Sequence, residues 1–206
     1  METKSVLNRR FFDIMRPICN GIFALIMPIK VTGRENLPME GPFVLCANHV
    51  CALDPLMLAL KVPKRHVRFL AKAELFEKKF AAWLLRALGA FPVHRGQRDM
   101  AAMRESLNLL KEGHAVGIFP QGTRSRDNQR LKMENGVSLI VLRAKVPVIP
   151  AYIGGKFRFF HKNSISFGRP VMLEDLWNKF DADSMNEATA RIENAVWEIQ
   201  ENHSVK

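Results

Sequence analysis

The sequence predicts an α/β fold with a mostly parallel central sheet flanked by helices on both faces. Short apolar runs rich in Val, Ile and Phe alternate with longer segments whose apolar residues recur at helical spacing, and that alternation is typical of parallel sheets. The strand-like runs are apolar throughout, as expected for strands that are covered on both faces. With 206 residues, of which 48% are hydrophobic and 25% charged, the chain is long enough to bury a substantial core.

The first 29 residues predict an amphipathic and apolar helix pair ahead of the sheet. Residues 4–16 carry basic side chains among apolar residues at helical spacing. Pro17 and the Asn20-Gly21 pair are expected to break this helix, and a second, strongly apolar helix then runs to Met27. Arginine beside phenylalanine on short helices favours insertion into a membrane surface, while packing on the protein's own core is the alternative. We therefore divide the chain into a membrane-associating segment, residues 1–29, and a main domain, residues 30–206.

Residues 30–206 alternate between strand and helix patterns. Strands are predicted over residues 41–48, 66–72, 90–95, 115–120 and 146–153, with one or two more in 164–173. Helices are predicted over residues 78–89, 99–113 and 135–145, from Asp54 onwards, and after the capping pattern of Ser184 and Glu187. Pro147 and Pro150 fall in the 146–153 run, which predicts an edge or irregular position for that strand.

The chain is strongly basic, with 31 lysine and arginine residues against 20 aspartate and glutamate residues, a net charge of +11. Such a field attracts polyanions: nucleic acid, an anionic membrane face, a phosphorylated substrate or an acidic carrier protein. Nucleic acid is not expected, because its binding calls for aromatic side chains interleaved with basic ones, and the chain has one tyrosine and no recognisable reading module. The other three classes of partner stay open on charge alone.

The cysteines and the apolar runs bear on the compartment. The three cysteines, Cys19, Cys46 and Cys51, form no CxxC pair, which predicts a reduced, cytosolic setting without a disulfide framework. They also lack the spacing of zinc ligands, so no metal site is expected. The sequence contains no secretory signal pattern, and no run approaches the roughly 20 apolar residues that cross a bilayer.

The stretch "NHVCALDP" places His49 five residues before Asp54, directly after a predicted strand. One interpretation is structural, with Asp54 as the N-cap and Pro55 in the first turn of a helix. The other is a catalytic dyad, in which the carboxylate fixes the imidazole tautomer while the second ring nitrogen removes a proton from a hydroxyl. The chain has no GxSxG nucleophile motif, so that hydroxyl would belong to the substrate.

Two further segments offer groups that bind anions. After a predicted strand, the turn "GTR" supplies Gly122, Thr123 and Arg124, which suit a phosphate or a carboxylate through backbone approach, hydroxyl donation and the guanidinium fork. A solvated basic loop is the alternative, and the spacing is not that of a P-loop. Arg95 lies at the end of another short strand and is a weaker candidate.

Four blocks taken in order resemble the glycerolipid acyltransferases of the 1-acyl-sn-glycerol-3-phosphate type, also called lysophosphatidic acid acyltransferases. The blocks are Asn48-His49 with Asp54, the segment "GAFPVHR" that ends in Arg95, the segment "FPQGTR" over 119–124, and the segment from Pro147 to Pro150. The segment "AKAEL", which contains Lys72, is similar to a lysine-bearing segment of that family. The resemblance covers roughly residues 30–155.

The resemblance implies acyl transfer from an acyl thioester, either acyl-ACP or acyl-CoA, to the sn-2 hydroxyl of 1-acyl-sn-glycerol-3-phosphate, giving phosphatidic acid. It implies that His49 is the general base and that Asp54 orients it. Other implied roles are phosphate binding by Arg95, Gly122, Thr123 and Arg124, oxyanion or phosphate support by Lys72 and Gln121 or by backbone amides, and an acyl-donor wall at Pro147 and Pro150. No metal is implied, and no cofactor beyond the thioester co-substrate.

The chain departs from the family pattern at Gln121, where the family usually has glutamate. Either this position only hydrogen-bonds, or the acceptor differs, for example another lysophospholipid or a lyso-amino-acid lipid. A thioesterase and a non-catalytic basic membrane-binding protein are the remaining alternatives. The resemblance implies a peripheral or monotopic protein on the cytoplasmic face of the cell membrane. There it would meet lysophosphatidic acid, an anionic surface and an acyl carrier protein.

Overall fold

The computed structural model describes residues 9–79, 82, 85, 89–93, 100–125 and 129–204. The helices are α1 (Arg9–Ile26), α2 (Asp54–Lys61), α3 (Met100–Lys111), α4 (Gly136–Ala144) and α5 (Ala182–Ser204). The strands are β1 (Ile29–Thr32), β2 (Phe43–Ala47), β3 (Val67–Lys72), β4 (Phe91–Val93), β5 (Ala115–Ile118), β6 (Val148–Ile153) and β7 (Asn163–Phe167). The helix predicted over residues 78–89 lies largely outside the described residues.

The strands form one sheet in the order β1-β7-β6-β2-β5-β3-β4. The β6–β7 pair is antiparallel, and every other neighbouring pair is parallel. The prediction of a mostly parallel sheet is therefore confirmed. Since β2, β3, β5 and β6 all run the same way, their carboxyl ends share one edge of the sheet, which is where sites form in α/β folds. We call this edge the carboxyl edge.

Side-chain alternation along β2 divides the core between the two faces of the sheet. Val44 and Cys46 point into a cluster formed with α3, α4 and α5. Phe43, Leu45 and Ala47 point into the opposite cluster, which α1 and α2 cover. Every residue of β2 is buried, as expected for a strand packed on both sides. The prediction of helices on both faces is confirmed.

The prediction of an N-terminal helix pair is wrong for the described part of residues 1–29. Residues 9–26 form one continuous helix, α1, with Pro17 inside it. Proline removes one backbone hydrogen bond, but tertiary contacts hold the helix on either side of it. The Arg16 and Asn20 side chains both donate to the Leu60 carbonyl at the end of α2, and Phe12 is buried. Among the described helices, none is long and apolar enough to cross a membrane.

The edge position predicted for the proline-bearing strand is also wrong, because β6 lies between β2 and β7. The Gly168 N–H donates to the Pro150 carbonyl at 2.8 Å, so the polar side of Pro150 faces the point where β7 ends. The N–H that proline lacks would point the same way and is not needed by β2. A Cβ on Gly168 would lie 2.8 Å from the Pro150 ring, so glycine makes room for it.

The last helix, α5, begins at Ala182, two residues before the predicted capping residue Ser184. Asp181 precedes α5, and its Oδ1 accepts from the Ser184 N–H at 2.9 Å while its Oδ2 accepts from the Ser184 hydroxyl at 2.8 Å. Asp181 is therefore the cap, and Ser184 lies inside the first turn. The cap therefore lies three residues N-terminal to Ser184, the capping residue that the sequence pattern predicts.

Candidate active site

The candidate site lies at the carboxyl edge, in the turn that follows β2. The Asn48 side chain fixes this turn to the end of β6: its Nδ2 donates to the Ile153 carbonyl at 3.0 Å, and its Oδ1 accepts from the Ile153 N–H at 2.7 Å. Asn48 is buried, and hydrogen bonds are stronger in the low-dielectric interior. The two bonds therefore hold the turn after β2 firmly to the end of β6.

His49 and Asp54 meet directly. The imidazole Nδ1 lies 2.8 Å from Asp54 Oδ2, and the carboxylate is completely buried. The same oxygen accepts from the Val50 N–H at 2.5 Å and the Cys51 N–H at 2.8 Å. An ionised carboxylate only accepts, so Nδ1 carries the ring proton and Nε2 carries the lone pair. The arrangement fixes the imidazole tautomer that a general base requires.

Asp54 is not a side-chain N-cap, so that structural interpretation is wrong. It is the first residue of α2, and its carboxylate bonds back to the preceding turn, whereas Leu53 occupies the cap position. Pro55 does lie in the first turn, as predicted. The helix cap and the His49 partner, the two roles that the sequence left open for Asp54, need the same carboxylate oxygens. In the structure these oxygens bond His49 and the backbone of residues 50–51.

Cys51 completes the environment of the carboxylate. Its Sγ lies 3.1 Å from Asp54 Oδ1, the oxygen that does not contact His49. Burial raises the pKa of the Cys51 thiol, and the hydrogen bond to Asp54 and the charge of that carboxylate raise it further. The thiol therefore stays protonated near neutral pH and serves as a donor. This contact could not be predicted from the sequence, because spacing alone does not show which oxygen of a carboxylate a nearby cysteine faces.

The imidazole ring packs against Phe119. The two rings stack at a centroid distance of 4.3 Å and an angle of 24°, and Phe119 stacks in turn on Phe69 at 5.7 Å. The His49 side chain keeps 12% of its surface exposed. Within the described residues no hydrogen bond engages Nε2. The ring is thus held at Nδ1 and on one face, while Nε2 is available to a substrate hydroxyl.

Residues 121–125 hold the backbone of His49 on both sides. Gln121 Oε1 accepts from the His49 N–H at 3.0 Å, and the Ser125 N–H donates to the His49 carbonyl at 2.8 Å. Both residues are buried. Gln121 acts through its side-chain oxygen, which a glutamate also has, so the contact is compatible with either residue. Neither tertiary contact could be predicted from the sequence, since Gln121 is 72 positions from His49.

Between these two anchors the loop turns at Gly122. Gly122 has φ = +64°, and a Cβ there would lie 3.1 Å from Glu134 Oε1, so both conformation and space favour glycine. Its N–H donates to the Phe119 carbonyl at 3.2 Å. Thr123 and Arg124 follow and are exposed. The structure therefore presents these two polar side chains to solvent beside His49, as an anion-binding loop requires.

The other predicted site residues are distributed as follows. Lys72 is the last residue of β3 and so reaches the carboxyl edge, but its side chain lies outside the described part of the chain, as does Arg95 altogether. Pro150 is buried within β6. Pro147 precedes β6, six residues or roughly 20 Å of strand from Ile153, and the structure thus separates it from the dyad. In the described ranges, no group of three or more His, Cys, Asp and Glu residues could hold a metal ion.

Comparison with known protein families adds an independent observation. The family model described as Acyltransferase matches residues 28–154, which contain the whole of β2, the dyad and the 121–125 loop. A crystal structure of the 1-acyl-sn-glycerophosphate (LPA) acyltransferase PlsC from Thermotoga maritima superimposes with a TM-score of 0.70 at 27% identity. The match covers 92% of this chain and 79% of that one.

Curated relatives point the same way. The 1-acyl-sn-glycerol-3-phosphate acyltransferase of Bacillus subtilis (strain 168) is 35% identical over 134 residues, which is 65% of this chain and 66% of that protein. The protein of the same name from Borreliella burgdorferi is 31% identical over 160 residues, 76% of this chain and 64% of that protein. The chain thus spans slightly less than two thirds of the length of these relatives.

Proposed function

The chain belongs to the acyltransferase family, and on that premise we propose that it is a 1-acylglycerol-3-phosphate O-acyltransferase. It would transfer a fatty acyl group from an acyl thioester to the sn-2 hydroxyl of 1-acyl-sn-glycerol-3-phosphate, giving phosphatidic acid for phospholipid biosynthesis. The observation that carries the proposal is the 2.8 Å contact between His49 Nδ1 and the buried Asp54 carboxylate, with Nε2 left unengaged by the described residues.

This geometry supports the following chemical step. His49 Nε2 removes the proton from the acceptor hydroxyl as its oxygen attacks the thioester carbonyl, and Asp54 stabilises the imidazolium that forms. The tetrahedral intermediate then collapses, the C–S bond breaks, and the leaving thiolate takes the proton back from Nε2. His49 ends in its starting tautomer, so no other proton donor and no protein nucleophile are needed.

The oxyanion of the intermediate requires a hydrogen-bond donor. The N–H groups of His49, Val50 and Cys51 are already donated to Gln121 and Asp54. Of the two kinds of donor that the sequence suggested, nearby backbone amides and Lys72, this favours Lys72. We assign it that role because β3 ends with Lys72 at the same edge of the sheet as His49.

The exposed turn at Thr123 and Arg124 would hold the phosphate of the acceptor, together with Arg95 from the second family block. A guanidinium and a hydroxyl match the geometry and charge of a phosphate monoester. Gly122 would contribute by shape, since its N–H is already donated to Phe119. A phosphate-binding loop at the dyad favours a phosphorylated acceptor over water, and so favours acyl transfer over thioester hydrolysis.

We further propose that the protein works as a peripheral or monotopic protein at the cytoplasmic face of the membrane, with α1 on the bilayer. Four large apolar side chains of α1 are exposed at helical spacing: Ile14, Ile18, Ile22 and Leu25. Basic charge on the protein would add attraction to anionic lipid and to an acidic acyl carrier protein. Ile18→Ser with Ile22→Ser should release the protein from vesicles, and unchanged binding would place the contact elsewhere.

The proposed activity is tested by supplying labelled acyl-ACP and acyl-CoA separately, with a panel of lysophospholipids and lyso-amino-acid lipids, followed by positional analysis of the product. Labelled phosphatidic acid acylated at sn-2 is the expected product. Transfer confined to another acceptor would reassign the substrate. Release of free fatty acid alone would show a thioesterase, and binding to vesicles without turnover would show a non-catalytic membrane protein.

A further inference from the structure

The loop between β6 and β7, residues 154–162, carries an exposed pair of aromatic side chains at the carboxyl edge. Phe159 is 54% exposed and Phe160 is 78% exposed, which makes Phe160 one of the most exposed large apolar residues of the described chain. The basic residues Lys156, Arg158 and Lys162 of the same loop are exposed as well. Adjacent apolar and basic side chains on one exposed loop are typical of membrane contact.

This loop lies beside the catalytic dyad. It leaves β6 at Ile153, whose backbone is bonded to Asn48, the residue before His49. Farther along, the backbone of Phe157 lies close enough to Cys51 to act on the pKa of its thiol, and the Phe157 side chain packs against the core. One phenylalanine of the loop therefore packs inward, while the two at 159–160 are exposed.

The loop is ordered by specific hydrogen bonds. Asn163 Oδ1 accepts from the Arg158 N–H at 2.8 Å, and Asn163 Nδ2 donates to the carbonyls of Arg158 at 3.0 Å and His161 at 2.8 Å. Phe160 has φ = +59°, a conformation that a bulky residue rarely adopts, and its N–H donates to the Ile26 carbonyl at 2.6 Å. A turn that holds a phenylalanine in a strained conformation and in water is a candidate functional feature.

The same hydrogen bond joins the loop to α1. Ile26 is the last residue of α1, and Leu25 beside it is 80% exposed. The end of α1 and the turn that carries the aromatic pair thus adjoin each other. A contact made by α1 alone would leave the dyad's distance from the bilayer undetermined, whereas a second contact at residues 159–160 would fix it.

We infer that Phe159 and Phe160 insert into the surface of an anionic phospholipid bilayer, with Lys156, Arg158 and Lys162 on the headgroups, as a second membrane contact beside the active site. The inference rests on the proposed function, in which the acceptor is a lysophospholipid. The lipid's acyl chain can stay in the bilayer while its hydroxyl reaches His49. Aromatic rings at the interface and cations at the phosphates are the favourable positions for these side chains.

The test uses sedimentation with vesicles of phosphatidylglycerol and phosphatidylethanolamine. Replacing both rings, Phe159→Ala with Phe160→Ala, should weaken binding about tenfold or more, since two buried phenyl side chains are lost while α1 remains. Phe180→Ala is the matched control: Phe180 is 44% exposed, it packs on Arg143 of α4 on the other face of the sheet, and its loss should leave binding unchanged. Equal binding by all three proteins would overturn the inference.

A gain-of-signal measurement covers the case in which the double variant is unstable. Phe160→Trp should add tryptophan fluorescence that brominated phospholipid in the vesicles quenches. The fluorescence added by Phe180→Trp should not be quenched. Absence of quenching at position 160 would overturn the inference. So would a change from dimer to monomer in the double alanine variant by analytical ultracentrifugation, because the aromatic pair would then be an interface between two copies of the chain.

A water-soluble acceptor separates this inference from the proposed function. With 1-hexanoyl-glycerol-3-phosphate below its micelle concentration, the double alanine variant should keep the wild-type rate, while its rate on acceptor in vesicles falls. Equal loss on both acceptors would contradict a membrane role for the two rings. No transfer by the wild type to any acceptor would refute the proposed function, and vesicle binding and quenching would still decide on the contact itself.

Discussion

Residues 48–54, which include His49, and residues 121–125, which bond its backbone, both lie at the carboxyl edge, but the two segments are held in different ways. The first segment makes its own framework, since Asp54 bonds to His49, Val50 and Cys51, all within five positions. The second is anchored to His49 at its two ends, where Gln121 and Ser125 bond the backbone of His49. Between those anchors, Thr123 and Arg124 are exposed.

The difference separates two tasks. A general base must keep its tautomer and position throughout the reaction, and a buried, fully bonded carboxylate supplies that rigidity. A group that binds a charged headgroup must be reachable from solvent, and the exposed turn supplies that access. We therefore expect substitutions in residues 48–54 to lower kcat, and substitutions in the exposed turn to raise the acceptor KM.

The largest effect is expected at the base itself. His49→Ala should lower kcat about a thousandfold or more, because general-base catalysis is lost together with the imidazole. Purified protein in a lipid-supplemented assay gives the rate, and a thermal unfolding scan serves as the control for the fold. Retention of more than about a tenth of the wild-type kcat, with an unchanged melting temperature, would remove His49 from the chemistry.

The next effect is expected in the exposed turn. Arg124→Ala should raise the acceptor KM about 10- to 100-fold, the loss of one charge-assisted hydrogen bond, with kcat nearly unchanged. Arg104, an exposed arginine on α3, provides the matched control, and Arg104→Ala should leave KM at the wild-type value. Identical KM values for the two variants would show that Arg124 does not bind the phosphate.

A smaller effect is expected at Cys51, whose thiol donates a hydrogen bond to Asp54 Oδ1. Cys51→Ala should lower kcat roughly three- to tenfold, since one neutral hydrogen bond to the carboxylate is lost, and Cys51→Ser should largely restore it. Because the pKa of the thiol is raised, alkylation of Cys51 by a maleimide should be slow at neutral pH and accelerate as the pH rises into the alkaline range. Fast alkylation at pH 7 would contradict the hydrogen bond to Asp54.

The smallest effect is expected where the chain departs from its family. Gln121→Glu should stay within about threefold of the wild-type kcat, because the carboxylate oxygen can accept from the His49 N–H as the amide oxygen does. Gln121→Leu removes the acceptor and should cost about tenfold. If Glu were as damaging as Leu, the amide would have a role of its own and the acceptor pocket would differ from the family's.

The sequence predicted the parts of the fold that depend on local patterns. The run around β2 and the proline after Asp54 placed a buried strand and a helix start, and both are present. Two predictions that rested on proline are wrong: the helix end at Pro17 and the edge strand at Pro150. In each case a distant part of the chain decides the outcome, α2 holding α1 together and Gly168 making room in the sheet.

The candidate site was predictable to a similar extent. Residue type and spacing proposed His49 and Asp54, but spacing cannot say which way a carboxylate points, and both orientations were open. The clamp on His49 by Gln121 and Ser125 needed the fold, since β5 must lie beside β2 before the loop after it can reach the histidine. Phe160 drew no notice in the sequence, because exposure is not visible there.

The most direct test of the division between residues 48–54 and the exposed turn is a side-by-side measurement of kcat and acceptor KM for Asp54→Asn and Arg124→Ala. Asp54→Asn should lower kcat at least a hundredfold with little change in KM, because the carboxylate that orients and stabilises the imidazolium is lost. Arg124→Ala should raise KM with kcat nearly intact. The reverse pattern, or the same pattern in both variants, would contradict the account.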